Sequence, residues 1–171
     1  NGRGPPRRIG HGKSGLREGR AHILVRRRCA IVTGNLGASA APVTIAVADF
    51  DYKDTSGEVR DQSAEHKARV AHFAEVVREN LSAQGDTSVL QFECPQHPCT
   101  PIRMGADDFI AAARRSGARF IVYGGILKTS TLVQNGLVEV LDLQNEKLIL
   151  KRGVSFRGDN DEAFARAAAF V

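Results

Sequence analysis

Two acidic residues stand at the end of the first apolar run. Val43 to Phe50 (VTIAVADF) reads as a strand, and Asp49 and Asp51 share a parity there, so both carboxylates can face one side. Such a pair could hold a divalent metal for phosphoryl chemistry. It could equally cap turns with Thr55 and Ser56. Cys94-Pro-Gln-His-Pro-Cys99 is a second grouping, a six-residue loop with two prolines whose ends can close as a disulfide. Closing so short a loop contributes about 2 kcal/mol when the geometry is unstrained. A zinc site on Cys94, His97 and Cys99 lacks an evident fourth ligand. The spacing also departs from the C-x-x-C of redox-active pairs.

Lys128, Arg157 and Asp159 end later strands. If the first and third strands are parallel, Asp51 and Lys128 lie at the same sheet end and could pair. The last strand, two hairpins on, would bring Arg157 and Asp159 to that end. Asp49, Asp51, Lys128, Arg157 and Asp159 are therefore the candidate contact surface, with a structural ion-pair cluster as the alternative. Asp159 also stands three residues before Glu162, the spacing of a capping box. The histidines outside the basic tail, His66, His72 and His97, come without a nucleophile-elbow sequence. No catalytic set, no metal and no cofactor is expected.

These residues need a sheet to position them. Arg119 to Lys128 is apolar on both parities, as a strand covered on both faces would be. Gly124 and Gly125 inside it mark a bulge or a close backbone approach. Thr131 to Leu143 is the next strand, and Gln144-Asn145-Glu146 a hairpin loop. Lys147 to Arg157 puts Leu148, Leu150, Val154 and Phe156 on one side, with Arg152 as an exception there, and reads as an edge strand. Asp61 to Gln84 carries Val70, Phe73, Ala74, Val77 and Leu81 at helical spacing, with Gly85 as its stop. Asp51 to Arg60 reads as a loop, Thr87 to Phe92 as a short strand and residues 93–106 as a loop. Asp107 is the expected N-cap of a helix through Ser116, followed by Gly117. Phe164, Ala167 and Ala168 face inward from a last helix. The order β-α-β-α-β-β-β-α makes a mixed five-stranded sheet with helices packed on it, an α/β fold of α+β type in a single domain. The expected strand order is 2-1-3-4-5, since the first strand is apolar on both faces.

The chain has 171 residues, 42% of them hydrophobic, which suits one domain with a real core. The net charge of +5 invites a nucleic-acid reading, but its distribution does not support one. Residues 1–42 hold nine Lys/Arg against one acid, and the remainder holds 15 against 18. The basic excess thus lies wholly in the tail, so nucleic acid is not expected as a partner of the domain. Residues 1–42 read as a disordered basic tail or a signal-like segment: Arg26-Arg27-Arg28, a weakly apolar stretch and Ala38-Ser39-Ala40 before Pro42. The arginines suit a twin-arginine route, with translation starting near Val25.

Strand–Asp-x-Asp is similar to the nucleophile motif of the haloacid dehalogenase-type phosphatases, although Lys53 stands where that pattern has Thr or Val. Over residues 43–171 a broader resemblance appears. IAVADFDYKDTSGE, the Cys94 and Cys99 pair, GARFIVYGGILKTSTL and VSFRGDNDEAFARAAAF resemble a family of predicted secreted bacterial proteins of unknown function. The resemblance implies export and a cysteine pair, and no known activity. The order of elements further resembles the amino-terminal domain of the TolB type and the related domain of curli-type export lipoproteins, which are envelope assembly or docking modules.

The expectation is an exported, periplasmic α/β domain that binds a protein or cell-envelope component and catalyses nothing. The alternatives are a metal-dependent phosphatase-like enzyme using Asp49 and Asp51, and a cytoplasmic nucleic-acid binder acting through the basic tail.

Overall fold

The strand Val43–Asp54 (β1) has hydrogen-bonded neighbours on both sides, as its two apolar faces require. The computed structural model describes residues 41–95 and 97–171. The expected basic or signal-like segment lies, except for its last two residues, outside the described residues. After β1 come α1 (Ser63–Ser82), β2 (Thr87–Leu90), α2 (Pro101–Met104) and α3 (Ala106–Arg115). The chain continues through β3 (Phe120–Lys128), β4 (Val133–Asp142) and β5 (Lys147–Arg157) to α4 (Asp161–Phe170). The sheet order is β2-β1-β3-β4-β5, with β1 parallel to β2 and β3 and an antiparallel meander from β3 to β5. Architecture, element order and strand order are those expected, in an α+β arrangement. The one-turn helix α2 is an addition inside the loop read over 93–106.

Helices cover both faces of the sheet. Val70, Phe73, Ala74 and Val77 of α1 and Phe164, Ala167 and Ala168 of α4 pack on Val47, Phe50, Val122, Ile126 and Val138. Phe109 and Ala113 of α3 pack on Ala46, Ala48 and Ile121 across the sheet. β1 serves both cores through an irregularity. Its register against β3 shifts between Val47 and Phe50, so β1 carries one extra residue there. Ile45 and Val47 face the α1 side before the shift, and Phe50 and Tyr52 face it afterwards. Asp49 and Asp51 consequently turn toward the loop that leads into α2.

Several local expectations are corrected. β1 runs on to Asp54, taking in residues read as loop. Asp107 does not cap α3. The cap residue is Gly105 at φ +84°, a conformation open to glycine, and Asp107 sits in the first helical turn, where its charge favours the helix dipole. Asp159 does not cap α4 either: Asn160 does, its side chain accepting from Ala163 N at 2.9 Å. α1 ends at cap Ala83, short of Gly85. Along β5 a register shift at Val140/Leu141 puts Leu148 and Leu150 on opposite faces, and both stay about two-fifths exposed. Arg152 lies with its guanidinium 4.7 Å from the centre of the Phe170 ring, which accounts for a cation on the apolar side.

Gly124 records a close approach of backbone. A Cβ built there would lie 1.9 Å from the Leu137 carbonyl oxygen of β4, whereas one at Gly153 would meet nothing within 4 Å. We expect Gly124→Ala to cost about 3 kcal/mol or more, the upper range for overpacking. Gly153→Ala should leave the denaturation midpoint within roughly 0.5 kcal/mol of the parent. Urea denaturation of the two variants side by side checks this.

Candidate functional site

At the C-terminal end of β3 an ammonium group is shut away from solvent. Lys128 is 0% exposed, and its Nζ meets Asp159 Oδ2 at 2.6 Å, Gln62 Oε1 at 3.0 Å and Glu58 Oε2 in a close contact. Asp54 lies 3.6 Å away. Asp159 is itself shared: His66 Nε2 sits 2.9 Å from both of its oxygens, and Arg69 Nη1 donates to Oδ1 at 2.8 Å. The Tyr52 ring lies on the His66 ring, with centroids 4.6 Å apart. Burial opposes charge on both sides of the central pair, but pairing wins. Asp159 and Glu58 hold Lys128 above the usual ammonium range, and Lys128 and His66 hold Asp159 below the usual carboxylate range.

The second cluster surrounds the cysteine loop. Cys94 and Cys99 form the expected disulfide. Asp49 Oδ2 accepts from Cys99 N at 2.8 Å and lies 2.8 Å from His97 Nδ1, while its Oδ1 lies 3.6 Å from Arg78. Asp51 Oδ1 accepts from the Thr100 hydroxyl at 2.9 Å. Thr100 is fully buried and also N-caps α2 through Arg103 N, with Pro101 as the first helical residue. Burial raises the Asp49 carboxyl, but bonds from His97 and Cys99 N outweigh it and leave it low. At Asp51 burial prevails over the Thr100 bond, and the carboxyl is held above its usual range.

Between the two clusters opens a cleft of about 870 Å³. Phe50, Tyr52 and Val70 line it, His97 and Pro98 bound one side, and the 57–62 loop bounds the other with Val59 fully exposed. The structure thus divides the five residues read from the sequence. Lys128 and Asp159 pair in a buried cluster, and Asp49 and Asp51 line the cleft and brace the cysteine loop. Arg157 is exposed on β5 opposite Val133. The expected Asp51–Lys128 pairing is corrected. Asp51 lies opposite Gly125, and it is Asp54 that stands opposite Lys128. Asp54 also caps the following turn, accepting from Ser56 N at 2.8 Å. Glu58, Gln62, Arg69 and Thr100 went unread. Only Thr100 carried a local signal, as a Thr-Pro helix start.

The fold is a mixed five-stranded sheet between helices, with a charged, cleft-bearing end. The chain belongs to the family described as protein of unknown function (DUF2380), whose model matches residues 43–171, so the expected family resemblance holds over the same span. No curated protein matches the chain. Solved structures that match include the LpoB C-terminal domain from Salmonella enterica, at 13% identity over 70% of this chain and 85% of that one, TM-score 0.45. The PelC dodecamer from Paraburkholderia phytofirmans matches at 14% identity over 77% and 91%, TM-score 0.46. TolB from Acinetobacter baumannii matches at 15% identity over 76% of this chain and 26% of that one, TM-score 0.44. No helix among the described residues is long and apolar enough to cross a membrane.

Removing one partner from a buried charge cluster strands the others. Lys128→Met should cost about 3–5 kcal/mol, read as a fall in the urea midpoint. The pH dependence has a defined sign. Asp159 and Asp49 are depressed, so their stabilisation is complete above the ordinary aspartate value of about 3.9 and is lost as pH falls through their lower folded values. Lys128 is raised, so its contribution is complete below about 10.4 and is lost as pH climbs through its higher folded value. Asp51 runs the other way, since its ionisation disfavours the folded state. Asp51→Asn should therefore raise the melting temperature at pH 7 and leave it unchanged at pH 3, because amide and protonated acid are then both neutral. Melting curves at the two pH values check the difference.

Proposed function

We propose that this domain is a non-catalytic binding module of the cell envelope that receives a protein partner in the cleft between the cysteine loop and the 57–62 loop. One observation carries the reading: the carboxylates at the cleft are committed within the chain. Asp49 holds Cys99 N and faces His97, Asp51 holds Thr100, and Glu58 and Asp159 hold Lys128. Groups spent in this way fix shape and leave little for proton or phosphoryl transfer. Val59, by contrast, is an apolar side chain held fully in solvent at the lip of a cleft with an apolar floor, which is the form of a contact residue awaiting cover. Lys128 and Asp159 act as supports beneath the surface, and Asp49 and Asp51 shape its wall. The signal-like segment and the disulfide support an exported, periplasmic setting.

The test is photocrosslinking in the native cell from position 59, with exposed Asp108 on α3 as the control position. An adduct with one envelope protein from position 59 alone is the expected result. Val59→Glu should weaken capture of that protein by about tenfold or more, a hot-spot loss of roughly 1.4 kcal/mol, with the melting temperature unchanged. Equal adducts from both positions would end the reading. Salt-sensitive nucleic-acid binding that disappears with residues 1–42 would replace it with the tail-driven alternative.

A further inference from the structure

The cysteine loop holds more chemistry than a clasp uses. The ligand atoms of Cys94, His97 and Cys99 all lie within 4.8 Å of one another, the one such group among the described residues. The sequence offers these three no fourth partner, but the fold brings one. Asp49, from a strand 45 residues earlier than Cys94, places Oδ2 at 2.8 Å from His97 Nδ1. We propose that, once the disulfide is reduced, this loop is a zinc-type metal site with Cys94 Sγ, Cys99 Sγ, His97 Nδ1 and Asp49 Oδ2 as its ligands.

The geometry fits. With Zn–S near 2.3 Å and Zn–N near 2.0–2.1 Å, a tetrahedral centre sets its sulfur and nitrogen ligands about 3.6 Å apart. Cys99 Sγ and His97 Nδ1 are 3.7 Å apart. Two thiolates, one imidazole and one carboxylate are a donor set that selects zinc over magnesium or calcium. His97 keeps 72% of its side-chain surface in solvent, which gives the ion a way in. Cys99 N and Arg78 hold the Asp49 carboxylate beside His97.

The chemistry balances. A dithiol reductant supplies two electrons and two protons, breaking the Cys94–Cys99 bond and becoming a disulfide itself. Metal binding then releases both thiol protons to solvent, and the imidazole carries its hydrogen on Nε2. The oxidised loop has no thiolates to offer, so disulfide and metal exclude one another. Both close the same six-residue loop, and with it the His97 and Pro98 side of the cleft.

The test uses the full chain with its third cysteine removed, Cys29→Ser, titrated with Co²⁺ under phosphine reductant and again after oxidation. Tetrahedral ligand-field bands and a thiolate charge-transfer band at one Co²⁺ per reduced chain, displaced by Zn²⁺ and missing from the oxidised chain, are expected. His97→Gln and Asp49→Asn should each weaken Co²⁺ binding by about tenfold or more. Both substitutions keep hydrogen-bonding capacity, and melting of their oxidised forms confirms that they fold. Octahedral spectra, failure of the reduced chain to bind at micromolar Co²⁺, or unchanged affinity in both folded variants would overturn the site.

Discussion

One desolvated ammonium holds the site end of this domain together. Lys128 ends a central strand, and its side chain lies on the face covered by α1 and α4, where water cannot serve it. Each of its partners comes from a different piece of chain: Glu58 from the loop after β1, Gln62 from the cap of α1 and Asp159 from the turn before α4. Its own carbonyl accepts from both the amide and the hydroxyl of Thr55. An uncompensated charge at that depth would cost several kcal/mol, so the arrangement is all or nothing. The 57–62 loop, which carries no regular structure, is fixed in place as one side of the cleft because the lysine beneath it needs its carboxylate.

The opposite side of the cleft is fixed by the same logic with the signs exchanged. Asp49 and Asp51 are the partly buried charges there, and backbone and hydroxyl donors of the cysteine loop answer them. Asp49 finds enough donors to stay easily ionised, while Asp51 does not quite. Two loops of poor intrinsic order thus become rigid walls. A covalent bond across Cys94 and Cys99 and an N-capped turn at Thr100 complete the second wall.

Much of the architecture was legible because it rests on periodicity. The apolar run of β1 on both parities placed it centrally, and the spacing of Val70, Phe73, Ala74 and Val77 placed α1 on the sheet. The site was legible only in its residue types. Which β1 residue stands beside Lys128 depends on the register of two parallel strands, and an extra residue between Val47 and Phe50 resets that register. Nothing in VADFD announces the irregularity: an unbroken register would set Lys53 opposite Lys128, and the extra residue sets Asp54 there instead. Likewise, Asp159 has the spacing of a cap, but the demand of a buried lysine outweighs a surface cap that Asn160 can supply. Buried ion clusters are assembled by long-range geometry, and short motifs cannot encode them.

The outer rim of β5 shows a different pressure. An eleven-residue border strand with Leu148, Ile149 and Leu150 in solvent is a ready template for uncontrolled self-association. It carries Lys147, Lys151, Arg152 and Arg157 and no acid, and an irregularity beside Ile149 interrupts its ladder. Two copies meeting along this rim would face like charges and mismatched backbone dipoles. Cations and irregularity together oppose the pairing of this border with a second copy of itself.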